Sequence, residues 1–157
     1  MSRTRTCLWF DTQAEDAVTH YVSVFPNSRV TAVTRYGAGM PLPEGTVLTV
    51  AFELDGQPYL ALNGGPHFQF SPAVSLVIDC DSQDEIDHFW AHLSADAAAE
   101  QCGWLKDRWG LSWQVVPTEL PEMLQHPDAA RRQRVLDAIM AMKKLDIAQL
   151  QQAFDTP

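Results

Sequence analysis

Apolar positions along this chain fall into two rhythms, and the pair of rhythms occurs twice. Thr6 to Phe10 reads as a strand, and Ala14 to Phe25 reads as a helix stopped by Pro26-Asn27. Strands are predicted over Arg29 to Tyr36, Thr46 to Leu54 and Gln57 to Asn63, with Asp55-Gly56 as a tight hairpin between the last two. Gly37 to Gly45 forms the longest loop, Gly64-Gly65-Pro66 ends the unit, and His67 to Pro72 links it to the next unit.

The pattern then restarts. A strand is predicted over Val74 to Cys80 and a helix from Ser82 to Ser94, capped by Asp81 or Ser82, with Ile86, Phe89, Trp90 and Leu93 as its apolar stripe. A polar, alanine-rich joint, Ala95 to Gln101, precedes Trp104 to Lys106; a turn over Asp107 to Gly110 returns the chain through Leu111 to Val116, and Pro117 closes a unit with fewer clear strands than the first. The restart is literal: LWFDTQAEDAVTHYV, beginning at Leu8, lies without a gap over LVIDCDSQDEIDHFW, beginning at Leu76. Asp11 matches Asp79, Val18 matches Ile86, His20 matches His88 and Tyr21 matches Phe89, so the repeat covers a strand, an acidic turn and the buried stripe of a helix.

A helical tail completes the chain. Asp128 to Lys144 carries Val135, Leu136, Ile139 and Met142 at helical spacing, and a shorter helix from Asp146 places Ile147, Leu150 and Phe154 on one face. Each stripe needs a cover, either the chain's own sheet or a second subunit. The expected organisation is one domain over residues 1–157, with modules at about 5–66 and 73–117 and a tail at about 121–155.

Composition narrows the function classes. Eleven basic against twenty acidic residues give a net charge of −9, which repels a phosphate backbone and an anionic bilayer, so neither nucleic acid nor membrane is an expected partner. The N-terminus has no apolar run long enough for a signal peptide and no stretch has transmembrane length, so a cytoplasmic location is expected. Three cysteines, Cys7, Cys80 and Cys102, without CxxC spacing indicate free thiols rather than a disulfide framework or a zinc ribbon.

Several segments together carry a family resemblance: LWFDTQAEDAVTHYVSVFPNSRV, ALNGGP at Ala61 to Pro66, CGWLKDRWGLSWQVVP at Cys102 to Pro117, and MKKLDIAQLQQAF near the end. Taken together the chain resembles the PhnB-like family, labelled 3-demethylubiquinone-9 3-methyltransferase domain, of the vicinal oxygen chelate superfamily (glyoxalase, bleomycin-resistance protein, extradiol dioxygenase). The resemblance implies an α+β fold of tandem βαβββ modules curled into a partly open, barrel-like cup. It also implies a homodimer, with any small organic ligand on the concave face.

Strand alternation offers a guess at that face. If Val74, Leu76 and Ile78 lie under the helices, Ser75, Val77 and Asp79 face the cup; by the repeat, Leu8 and Phe10 go under and Cys7 and Trp9 face inward. With Leu60 and Leu62 under the helix, Tyr59, Ala61 and Asn63 face the cup, and Trp113 and Val115 leave Ser112 and Gln114 for it. The pocket candidates are therefore Cys7, Trp9, Tyr59, Asn63, Ser75, Ser112 and Gln114, a set of aromatic walls and scattered hydrogen-bonding groups.

Metal-dependent members of the superfamily place a His or carboxylate on the first and last strands of each module. Here those places hold Thr6 or Cys7, Ala61 or Asn63, Val74 or Ser75, and Gln114, the alternatives reflecting a one-residue choice of register. Neutral hydroxyl and amide groups replace the water shell of zinc, iron or manganese poorly, so no cofactor is predicted. A divalent metal would need non-standard ligands such as His67 or groups of a partner subunit. His88 and His92 stand one helical turn apart but opposite the apolar stripe, without an HExxH glutamate, and read as a solvated face. The methyltransferase label finds no support, because no glycine-rich strand-to-helix loop for an adenosyl cofactor occurs. Three functions are compatible with these residues: a small-molecule binder or degenerate enzyme without the usual metal, a metal-dependent lyase, isomerase or dioxygenase, and a dimeric interaction module without a ligand.

Overall fold

The computed structural model describes residues 2–157, and the first apolar run forms β1 (Thr6–Phe10), with Leu8 and Phe10 buried and Cys7 exposed. Contacts divide the chain into two units, Met1–Phe70 and Ser71–Pro157.

In the first unit, α1 (Ala14–Val24) is followed by β2 (Arg29–Arg35), β3 (Val47–Leu54) and β4 (Gln57–Asn63). The sheet runs in the order β1-β4-β3-β2, with β1 parallel to β4 and the other pairs antiparallel. Ala14, Ala17, Val18, Tyr21 and Val24 form the buried stripe of α1 and pack over β3 and β4. Tyr21, Phe52 and Tyr59 lie in a row, with ring centroids 6.5 and 5.4 Å apart. Full burial of a side chain the size of Phe52 stabilises the fold by roughly 1.5–3 kcal/mol. β2 is an edge strand exposed at every position.

The register corrects one part of the face assignment. Parallel pairing sets Leu8 beside Ala61 and Phe10 beside Asn63, and side-by-side partners share a face. Tyr59, Ala61 and Asn63 therefore lie on the α1 side, and Leu60 and Leu62 lie opposite, with Cys7 and Trp9. The cause is a helix end that needs an acceptor: Gln13 at the N-cap makes no side-chain capping bond, and Asn63 Oδ1 accepts from Ala14 N at 2.9 Å instead.

The second unit opens with β5 (Ser75–Cys80) and α2 (Gln83–Leu93), whose start resembles a capping box in which Glu85 reaches one residue beyond the N-cap Ser82. Ser82 Oγ accepts from Glu85 N at 3.2 Å, while Glu85 Oε2 accepts from Asp81 N at 2.8 Å. After a 3-10 turn at Ala97–Ala99 come β6 (Trp104–Lys106) and β7 (Ser112–Pro117), in the sheet order β5-β7-β6 with β5 parallel to β7. This order repeats β1-β4-β3 and lacks a counterpart of β2. Along the outer edge of β6, Ala95 N donates to Lys106 O and Gln101 N to Trp104 O, so the joint satisfies the groups a fourth strand would have taken. Neither sheet closes into a barrel. Ile86, Phe89 and Leu93 of α2 are buried, as are Ile78, Leu105, Trp113 and Val115 of the sheet. Val74, expected under a helix, precedes the strand and is 64% exposed.

Three helices end the chain: α3 (Leu120–Leu124), not anticipated, with a proline in its first turn; α4 (Ala129–Met140); and α5 (Ile147–Asp155). α4 stops four residues before the expected Lys144 for a visible reason. The carbonyls of Met142 and Lys143 turn away to accept from Cys102 N and Gly103 N, both at 2.8 Å. Met123, Val135, Leu145 and Leu150 form a small core with Val116 at the end of β7, which covers Ile139, Met142 and Phe154 of the helical stripes within their own unit and leaves Leu136 42% exposed. No helix among the described residues is long and apolar enough to cross a membrane.

Candidate functional site

On the first unit, the sheet face opposite α1 carries Cys7, Trp9, Leu60 and Leu62. Trp9 is fixed from both sides. Its Nε1 donates to Gly65 O at 3.0 Å, and the Phe68 ring meets it edge-on at 5.0 Å. Gly64 lies directly beneath the indole, where any β-carbon would overlap the ring. The Gly-Gly pair also prolongs the strand pairing, with Gly64 N donating to Phe10 O and Gly65 N to Asp11 O. Although the residue is exposed, partial desolvation by its neighbours raises the Cys7 thiol above its ordinary value, which Arg5 offsets in part, so Cys7 is poorly suited to act as a nucleophile at neutral pH.

Asn63 and Tyr59 do not join Cys7 and Trp9. Asn63 is 3% exposed, and its Nδ2 donates to Val47 O at 3.1 Å while Oδ1 caps α1. Tyr59 is stacked on Phe52, and burial raises its hydroxyl above the ordinary value.

On the second unit, Ser75, Ser112 and Gln114 do share the face away from the buried Ile78, Trp113 and Val115. Gln114 Nε2 donates to Ser75 Oγ at 3.0 Å, which fixes the amide in one orientation. The β6 to β7 register brings Trp104 beside Gln114 and Lys106 beside Ser112. At the β6 edge Trp104, Lys106 and Ser112 line a cleft of about 520 Å³ that also touches Pro72, Cys102 and Met140. The alternation of Trp104 and Lys106 was a local signal for this cleft, whereas Met140, 38 residues from Cys102, gave none.

A divalent metal does not fit the donors present. The face of the first unit carries the Cys7 thiol among apolar groups, with Thr49 and an Arg29-paired Glu53 on β3, and that of the second carries Ser75 bonded to the Gln114 amide, with Asp79 as its one carboxylate. Among the described residues no three His, Cys, Asp or Glu side chains come together as a metal would require. His88 and His92 stack at 4.5 Å, and His92 Nδ1 lies 2.8 Å from His88 O, so that ring nitrogen is engaged by the helix itself.

Two units that share the strand order and the parallel pairing of first and last strands, on one chain, define a tandem protein built on a βαβββ plan whose second copy lacks one strand. The family model 3-demethylubiquinone-9 3-methyltransferase matches residues 2–116, and the chain belongs to this family. It is similar to the PhnB protein of Bacillus cereus, with 31% identity over 74% of this chain and 100% of that one and a TM-score of 0.64. It is also similar in fold to PA1353 from Pseudomonas aeruginosa, at 16% identity, over 74% and 98% of the two chains, with a TM-score of 0.57. A glyoxylase/bleomycin resistance protein/dioxygenase domain from Frankia sp. EAN1pec matches at 14% identity, over 74% and 91%, with a TM-score of 0.47. No curated protein matches the chain.

Proposed function

We propose that this protein is a cytoplasmic homodimer that binds a small organic molecule on its open β-sheet surfaces, without the metal of the metal-dependent members of its superfamily. The observation that carries the reading is the composition of those surfaces. Trp9, Leu60 and Leu62 on one unit, and Trp104 beside the Ser75–Gln114 pair on the other, give apolar walls with a few oriented polar groups and no set of ionic ligands among the described residues. Exposed Val30 and Val33 on the edge strand β2 support association of two copies.

The family label names methyl transfer, but the turn from β1 to α1, Asp11-Thr12-Gln13, has no glycine and so no close backbone approach for an adenosyl cofactor. Binding is the reading that the side chains favour.

The test combines metal analysis of protein purified without chelators with a thermal-shift screen of a small-molecule library. A true ligand at about 100 times its Kd stabilises the fold by roughly 2.7 kcal/mol. That stabilisation should fall in Trp9→Ala or Gln114→Leu. Tightly held metal at one equivalent per chain would overturn the reading, as would a screen in which no compound stabilises the protein.

A further inference from the structure

We infer that the cleft at the β6 edge of the second unit is a site for an amphipathic organic anion, with Lys106 receiving the acid group and Trp104 the apolar body. This deepens the binding reading above and rests on it. The cleft measures about 520 Å³, within the range of small-molecule sites, and its wall is largely apolar: Pro72, Trp104, Leu105 and Met140.

Lys106 is the one charged residue in that wall, where Gln101 and Ser112 are the other polar side chains. It is partly buried, and it takes part in none of the ion pairs found among the described residues. This is notable in a chain where acids outnumber bases by twenty to eleven. The adjacent Asp107 directs its oxygens elsewhere: Oδ1 accepts from Trp109 N and Leu111 N, and Oδ2 from Trp113 Nε1, at 2.9 to 3.0 Å. A lysine lining a largely apolar cleft gains most from a small anion with an apolar body, because the anion supplies charge-assisted hydrogen bonds while its body covers the wall. A polyanion such as nucleic acid would meet the net charge of −9 and be repelled.

The wall is also built in advance of any ligand. Cys102 and Gly103 both adopt left-handed backbone conformations, with φ of 55° and 85°, and their N–H groups are tied to the carbonyls of Met142 and Lys143. Cys102 Sγ lies 3.7 Å from Met140 Sδ, and Gln101 Nε2 donates to Met140 O at 2.9 Å, which closes the rim. A side chain other than glycine is strained in that conformation, so the shape of the rim is imposed by the fold. A preformed cleft loses little entropy when it is filled.

The probes are 1-anilinonaphthalene-8-sulfonate and N-phenyl-1-naphthylamine, which share an aromatic body and differ in the sulfonate. The anion should bind at one per cleft and more tightly than the neutral amine. Lys106→Gln should weaken the anion about tenfold, the effect of losing a hydrogen bond to a charged group, and change the amine by less than about twofold. Lys106→Arg should retain the preference. Saturating anion should also slow maleimide labelling of Cys102, followed by peptide mass spectrometry, and leave Cys7 unchanged. Equal affinity for the two probes, an unaltered anion affinity in Lys106→Gln, or unprotected Cys102 would overturn the assignment. The two failures are separable: a library compound whose stabilisation is lost in Trp9→Ala but kept in Lys106→Gln would remove this cleft and leave the broader binding reading standing.

Discussion

Asn63, the last residue of β4, caps the helix that begins at Ala14, 49 positions earlier in the chain. Its amide joins three elements, since it accepts from Ala14 N and donates to Val47 O while β4 pairs with β1. Replacing it with alanine would orphan a buried helix-end N–H and a buried carbonyl together, each costing about 1–3 kcal/mol. Asn63→Ala is therefore expected to lower unfolding stability by roughly 2–4 kcal/mol in urea titrations, with Asn63→Asp intermediate because the acceptor survives. Ligand affinity of the folded fraction should not change. A large loss of binding with unchanged stability would instead place Asn63 in the site.

That residue also shows how far the sequence could be read. Alternation within β4 alone, QPYLALN, makes the leucines the obvious buried set, and by that logic Asn63 faces a ligand. Which face is buried depends on the partner strand, and the parallel register of Phe10 with Asn63 is a long-range fact that no local period encodes. In β5 and β7 the same reasoning assigned the faces correctly, because Ile78 and Val115 are both apolar and paired, and their neighbours Ser75 and Gln114 are polar. The repeat announced the shared topology, and the vacancy left by a second-unit counterpart of β2 was legible only as a weak polar joint. The alternation of Trp104 and Lys106 alone did not reveal the cleft, because its other walls come from Pro72 and Met140, which are distant from Lys106 in the chain.

Trp9 and Gly64 should behave as a coupled pair. A methyl group at Gly64 would enter the volume of the indole, and overpacking of this kind costs typically about 1–3 kcal/mol. Gly64→Ala is expected to lower stability and to shift Trp9 fluorescence. Adding Trp9→Ala should return most of the Gly64→Ala loss, giving a coupling energy above about 0.5 kcal/mol in a double-mutant cycle. Simple additivity would show that the glycine serves backbone conformation alone.

Asp107 has a structural role that its charge alone would not suggest. It is 4% exposed and accepts three N–H groups: two backbone amides of the turn, from Trp109 and Leu111, and the indole of the buried Trp113. Asp107→Ala leaves all three donors without their acceptor, and a loss of about 3 kcal/mol or more is expected. Asp107→Asn keeps one carbonyl oxygen and should cost less. Near-ultraviolet circular dichroism of Asp107→Ala should report a loosened Trp113 environment, and a spectrum and urea midpoint equal to the parent's would show that the turn holds without this carboxylate.

Three groups make the fold sensitive to alkali. The Cys80 thiol is pushed up to about 12 from 9.0, first by burial and then by Glu85, Asp79 and Asp81; burial also raises Tyr59 from 10.0, and Cys7 is raised from 9.0. The folded protein therefore keeps protons that the unfolded chain releases, so this contribution to stability is complete below the unfolded values and declines as pH rises through the folded ones. Urea midpoints should stay level up to about pH 8.5 on account of these groups and then fall steadily toward pH 11. Cys80→Ala should flatten part of that decline, and in the parent protein Cys80 should be the slowest of the three thiols to react with maleimide. An alkaline slope identical in parent and variant would mean that Cys80 ionises in the folded protein much as it does in the unfolded chain.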